Sequence, residues 1–124
     1  MSLFRVDAAV MARAGWGCAL MFAPDRVLRI GGRPPAPPAA VAIARVLATR
    51  HLAQALVTAA WPAGWVADAS AAVDALHAGT DVGFAAVSAR WRRIVLIDAA
   101  IAAALAASDR RTARADGGFG RWRG

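Results

Sequence analysis

The chain has 124 residues, 59% of them hydrophobic, with a formal net charge of +7 and a mean hydropathy of +0.45. Such a length suits one compact unit, and an apolar fraction above the usual range argues against an extended disordered chain. The single cysteine, Cys18, excludes an internal disulfide framework.

The first apolar stretch, residues 6–23, predicts a helix that stops at Pro24 and Asp25, because proline cannot continue a helix. Arg13 interrupts it and no A-x-A site follows, so a cleavable signal peptide is not expected. Gly15, Trp16 and Gly17 before Cys18 lack a lipoprotein pattern, which leaves Cys18 as an expected packing residue. Residues 24–38 predict a loop, with PPAPP in polyproline geometry. A second helix is expected over 39–61, and WPAGW then supplies a turn with Pro62 and Gly64 as breakers. A third follows over 66–88, then the basic RWRR knot, and a fourth over 94–108. The Gly- and Arg-rich residues 109–124 have little apolar content and predict a disordered basic tail. Long Ala-rich stretches without period-two alternation favour helix over strand. The expected architecture is therefore all-α: a small four-helix membrane bundle of antiparallel hairpins in residues 1–108, followed by the tail.

Three features support residence in a plasma membrane. Trp61 and Trp65 bracket one turn and Trp91 sits at the opposite loop, as an aromatic belt would place them. Ala67, Ala71, Ala75, Gly79 and Gly83 recur every fourth residue, a ridge suited to close helix contact. Arg26, Arg29, Arg33, Arg90, Arg92 and Arg93 flank apolar stretches, at a depth where each gains about 1 kcal/mol near anionic lipid headgroups. No aromatic-interleaved basic motif is present, so nucleic acid is not the expected partner. Arginines are balanced between the two sides of a four-span arrangement, and the positive-inside rule gives no orientation.

Polar residues inside the apolar stretches mark the candidate site. Arg50, His51 and Gln54 share one face of the second helix; Asp74, His77 and Asp81 share a narrower face of the third. In an antiparallel hairpin Arg50 and His51 fall level with Asp74 and His77, so the stripes meet. An ion pair of Arg50 with Asp74 or Asp81, locking two marginal helices together, is the leading expectation. The same residues could form a proton or cation relay. His51, Asp74, His77 and Asp81 could hold a divalent metal, and His51 with His77 could ligate haem b. Arg13 and Asp98 could pair between the first and last helices; alternatively Arg13 snorkels and Asp98 is stabilised near its helix N-terminus, the reading preferred for Asp98. No nucleophile-base set is apparent, so catalysis is not expected.

The stretches ARVLATRHLAQALV (residues 44–57) and AVDALHAGTDVGFAAVSARWRR (residues 72–93) resemble segments of short Ala- and Arg-rich polytopic membrane proteins of high-GC actinobacteria. The resemblance covers about half the chain and implies a multi-helix membrane protein, without an activity. The expected role is an accessory or assembly subunit of a membrane complex, touching anionic lipids and a protein partner or a second copy. The alternatives are a minimal transporter or proton-conducting module and a haem- or quinone-binding anchor.

Overall fold

A computed structural model describes residues 6–30, 35–61 and 63–120, with side chains described as far as residue 115. It is all-helical, with no strand among the described residues. Helix α1 (Ala8–Phe22) starts at Asp7, whose carboxylate accepts from the Val10 N–H at 3.0 Å and satisfies one of the first-turn donors. The chain breaks at Ala23 and restarts as α2 (Pro24–Leu28), with Pro24 at the position where its missing N–H costs nothing. This short helix lies where the sequence predicts only loop, so the described chain has five helices rather than four. Pro37, at φ −64° and ψ 152°, holds the expected polyproline geometry and leads into α3 (Pro38–Ala60). After the turn come α4 (Gly64–Val87) and α5 (Arg92–Gly120).

The reach of α5 corrects the expected disordered tail. Leu105, Ala106 and Asp109 are buried on one side of α5, and that anchorage carries the helix forward, since propagation needs far less than nucleation. Residues 121–124 lie outside the described residues.

The pairing of helices also departs from expectation. The most extensive contacts are α4 with α5 and α1 with α3, whereas α3 and α4, though joined by the WPAGW turn, touch sparingly. The physical reason is side-chain size. Against α3, α1 presents Gly17, where an added Cβ would lie 2.9 Å from Leu52 Cγ. Small buried side chains such as Ala71, Ala85, Ala99 and Ala102 likewise line α4 and α5. Between α3 and α4 stand Arg50, Gln54 and Asp74, whose length holds the backbones apart while the side chains still meet.

Two apolar clusters cap the interior. Val10, Ala55 and Ala59 close one end, with Ala14 packed beside them. Leu20, Val27, Ala44, Ala48 and Ile94 close the other, supported by Trp16, Leu47 and Trp91. The outer surface is apolar too: Phe22, Ile43, Val46, Leu56, Trp61, Trp65, Leu76 and Val87 are all exposed. Among the described residues one helix, α3, is long and apolar enough to cross a membrane, and only 22% of its apolar window is buried. Cys18, expected to pack inside, is exposed.

Candidate functional site

The interior between the apolar caps is ionic. Its three largest fully buried side chains are Arg13, His51 and Asp74, each at 0% exposure. Taking a charge out of water costs several kcal/mol per ion after relaxation, so each must find partners. Near the end where α1 begins, the Arg13 guanidinium is paired through Nη2 with Asp74 Oδ2 and with Asp109 Oδ2, the latter at 2.8 Å. Arg50 Nη2 reaches the other oxygen of Asp74 at 3.1 Å. Asp74 therefore bridges two arginines from different helices. One turn away, Gln54 Nε2 donates to the Ser70 hydroxyl at 2.5 Å and to its carbonyl at 3.2 Å.

The second layer centres on Asp98 of α5. The Trp16 indole donates to Asp98 Oδ1 at 2.6 Å, and His77 Nε2 lies 2.7 Å from Asp98 Oδ2. Asp81, one turn beyond His77 on α4, sits 3.2 Å from the same imidazole nitrogen, yet its Oδ2 has no partner in hydrogen-bonding geometry. His51 approaches from α3, with Nε2 at 4.0 Å from Asp98 Oδ1. Its ring meets that of His77 edge to face at 6.2 Å between centroids. Neither ring nitrogen of His51 has a hydrogen-bond partner. One donor atom from each of His51, His77 and Asp98 falls within 4.8 Å of the others. Beside this layer runs an apolar groove of about 480 Å³, lined by Trp16, Leu20, Phe84 and Trp91 and reaching His77, Asp81 and Asp98.

The predicted site residues Arg50, His51, Gln54, Asp74, His77 and Asp81 all face this interior, and Arg50 meets Asp74 as the hairpin geometry required. They do not form one cluster. Asp74 is held by arginines, while His77 and Asp81 gather around Asp98. The four-ligand set of His51, Asp74, His77 and Asp81 is thus corrected: Asp98 stands beside the imidazoles where Asp74 was expected. Arg13 neither snorkels nor pairs with Asp98; it is fully enclosed and held by Asp74 and Asp109. Asp98 is stabilised by side chains of α1 and α4 rather than by its own helix end. Sequence reasoning also missed Asp109, Ser70 and Trp16. One signal was available: Asp98, Ala102, Leu105 and Asp109 recur at helical spacing and are all buried, a stripe extending past the expected helix end.

Of the basic rim, Arg26, Arg29, Arg90, Arg92 and Arg93 are exposed, while Arg33 lies outside the described residues. Arg90 stacks over Trp91 at 5.1 Å from the ring centroid. Leu28 and Ile30 share a surface pocket with Arg90, Arg92 and Arg93, which puts α2 and the turn before α5 at the same end of the molecule.

The distribution of sign is ordered. Arg13, Trp16, Arg50 and Gln54, all donors, come from α1 and α3; the acceptors Ser70, Asp74, Asp98 and Asp109 come from α4 and α5. Two helix pairs of complementary charge thus meet across the interior. Comparison of the chain with protein families, with curated proteins and with solved structures finds no match. The functional reading therefore rests on this geometry.

Proposed function

We propose that the chain is a small integral membrane protein acting as an accessory or assembly subunit of a membrane complex. The observation that carries this reading is the reversed distribution of polarity: Arg13, His51 and Asp74 are fully enclosed, while Leu76 is 74% and Val87 82% exposed. In water such an arrangement leaves apolar area exposed that burial would stabilise by about 25 cal/mol per Å². In hydrocarbon it is the expected one, because intramembrane charges turn inward and pair. Trp61 and Trp65, exposed at one end, and the Arg26, Arg29, Arg90, Arg92 and Arg93 set at the other suit two interfacial zones, the second facing anionic headgroups. Helix α1, with 15 residues, spans about 22 Å at 1.5 Å per residue and needs its neighbours to complete a crossing.

The subunit role follows from what the outer face offers. Gly79 and Gly83 are exposed, and an added Cβ at either would meet nothing within 4 Å. They leave a shallow strip on α4 where a partner helix could approach closely, the contact that bilayer helices use. A proton- or cation-conducting module is the second reading, favoured by the groove that reaches His77, Asp81 and Asp98. A haem anchor through His51 and His77 has less support, because Asp98 already stands 2.7 Å from the His77 nitrogen that iron would need.

The test is Leu76→Arg together with fractionation. A lipid-facing arginine at mid-helix costs about 2.5–3.5 kcal/mol of insertion, so the variant should fail to accumulate in membranes, while the wild type resists alkaline extraction and co-purifies in detergent with a larger complex. Recovery of the wild-type chain as a monomer from detergent-free extract, with Leu76→Arg behaving alike, would sink the proposal.

A further inference from the structure

We propose that His51, His77 and Asp98, with Asp81 as a fourth donor, form a binding site for one divalent transition-metal ion of the zinc class. The site goes beyond the subunit role above, and it does not require the bilayer.

The donor geometry comes first. Four-coordinate zinc with bonds of about 2.1 Å places its ligand atoms about 3.4 Å apart. Here His77 Nε2 stands 2.7 Å from Asp98 Oδ2, His51 Nε2 stands 4.0 Å from Asp98 Oδ1, and one donor atom of each residue lies within 4.8 Å of the others. Movements on the order of 1 Å, drawing His51 inward and parting His77 from Asp98, would bring them to bonding distance. Two imidazoles with carboxylates suit zinc, iron, cobalt or nickel rather than calcium or magnesium, which take all-oxygen sets.

His51 supplies an independent observation. It is completely enclosed, yet neither of its ring nitrogens has a hydrogen-bond partner. Leaving a buried polar atom unpaired is costly, and a metal bound at Nε2, the atom 4.0 Å from Asp98 Oδ1, would satisfy one of the two. Asp81 Oδ2 also lacks a hydrogen-bond partner and lies 3.2 Å from His77 Nε2.

Charge gives a third argument. Among the described side chains of this interior, Arg13 and Arg50 are balanced by Asp74 and Asp109. Asp81 and Asp98 remain, and with neutral imidazoles they leave two negative charges uncompensated. A divalent cation cancels that excess, and in the bound form the single proton of the neutral His77 imidazole resides on Nδ1, leaving Nε2 to the metal. The Trp16 indole, donating to Asp98 at 2.6 Å, fixes the carboxylate as an outer-shell partner does in metal sites. Access runs along the groove that reaches His77, Asp81 and Asp98.

The experiment uses the full chain in detergent, freed of any affinity tag, in a Cys18→Ser background that removes the exposed thiol. After chelator treatment it is titrated with Co²⁺ and then Zn²⁺. One Co²⁺ per chain is expected, with the visible absorption of low-coordinate cobalt, and Zn²⁺ should displace it. His51→Ala and Asp98→Asn should each weaken binding by at least about 100-fold, and Trp16→Phe, which keeps every donor, by about 10- to 100-fold. Helical content, read by circular dichroism, should remain unchanged. If His51→Ala loses helicity, Asp98→Asn and Trp16→Phe decide. Absence of stoichiometric binding, or affinity unaltered in the folded variants, overturns the site without touching the membrane reading, which fractionation tests separately.

Discussion

Replacing Arg13 by Met keeps an unbranched apolar stem, shorter than the original, and deletes the charge. The guanidinium is 0% exposed and is joined to Asp74 and Asp109, whose own side chains are 0% and 8% exposed. Asp74 would retain Arg50 at 3.1 Å, but Asp109 would keep no cationic partner among the described residues. Removing one member of an enclosed ion pair costs about 3–5 kcal/mol, because the survivor is stranded away from water. Set against a total of about 5–15 kcal/mol for an ordinary domain, the loss is large enough to bring the variant near its unfolding threshold. Equilibrium unfolding in mixed micelles, followed by circular dichroism, measures it. The double variant Arg13→Met/Asp109→Leu removes both charges and should recover most of the loss, since paired deletion is often near neutral. A single variant within about 1 kcal/mol of wild type, or a double variant no better than the single, would refute the view that this interior excludes water.

Substitutions at two glycines examine how the helices approach one another. Gly17→Ala sets a methyl 2.9 Å from Leu52 Cγ and 3.2 Å from His51 Cβ; overpacking of this kind costs about 1–3 kcal/mol, more than the gain of about 1 kcal/mol in helix preference. The thermal midpoint should fall, and trimming Leu52 to Ala in the same chain should restore part of it; a rise would contradict the tight α1–α3 seam. Gly79→Ala meets open space and should stabilise the isolated protein by about 0.5–1 kcal/mol. Gly79→Leu should leave the isolated fold intact yet abolish co-purification with a partner, and a complex that survives it would remove the α4 strip from the interface.

How much of this was legible in the sequence depended on range. Helix positions followed from local punctuation: Pro24, Pro38 and the WPAGW turn lie within a residue or two of the observed ends. The polar stripes on α3 and α4 followed from periodicity, and the Arg50–Asp74 contact from the register of a hairpin. Which helices pack together did not, because a hydrophobic period marks a buried face without naming the neighbour it is buried against. Arg13 on α1 and Asp98 and Asp109 on α5 are charges up to 96 positions apart in sequence, and only tertiary packing brings them into one interior. Helix α5 was underestimated because its basic composition after Ser108 outweighed the single buried aspartate that anchors it.

The division of sign between the two halves of the molecule bears on its biogenesis. Synthesis begins at the N-terminus, so α1 and α3 emerge carrying Arg13 and Arg50 before any of the interior carboxylates exists. Neither arginine can be neutralised until α4 delivers Asp74, and Arg13 is not fully matched until α5 has brought Asp109. In the proposed membrane setting, a nascent chain halted after α3 would present two unmatched cations to the insertion machinery, so truncated copies should be retained less well than finished ones.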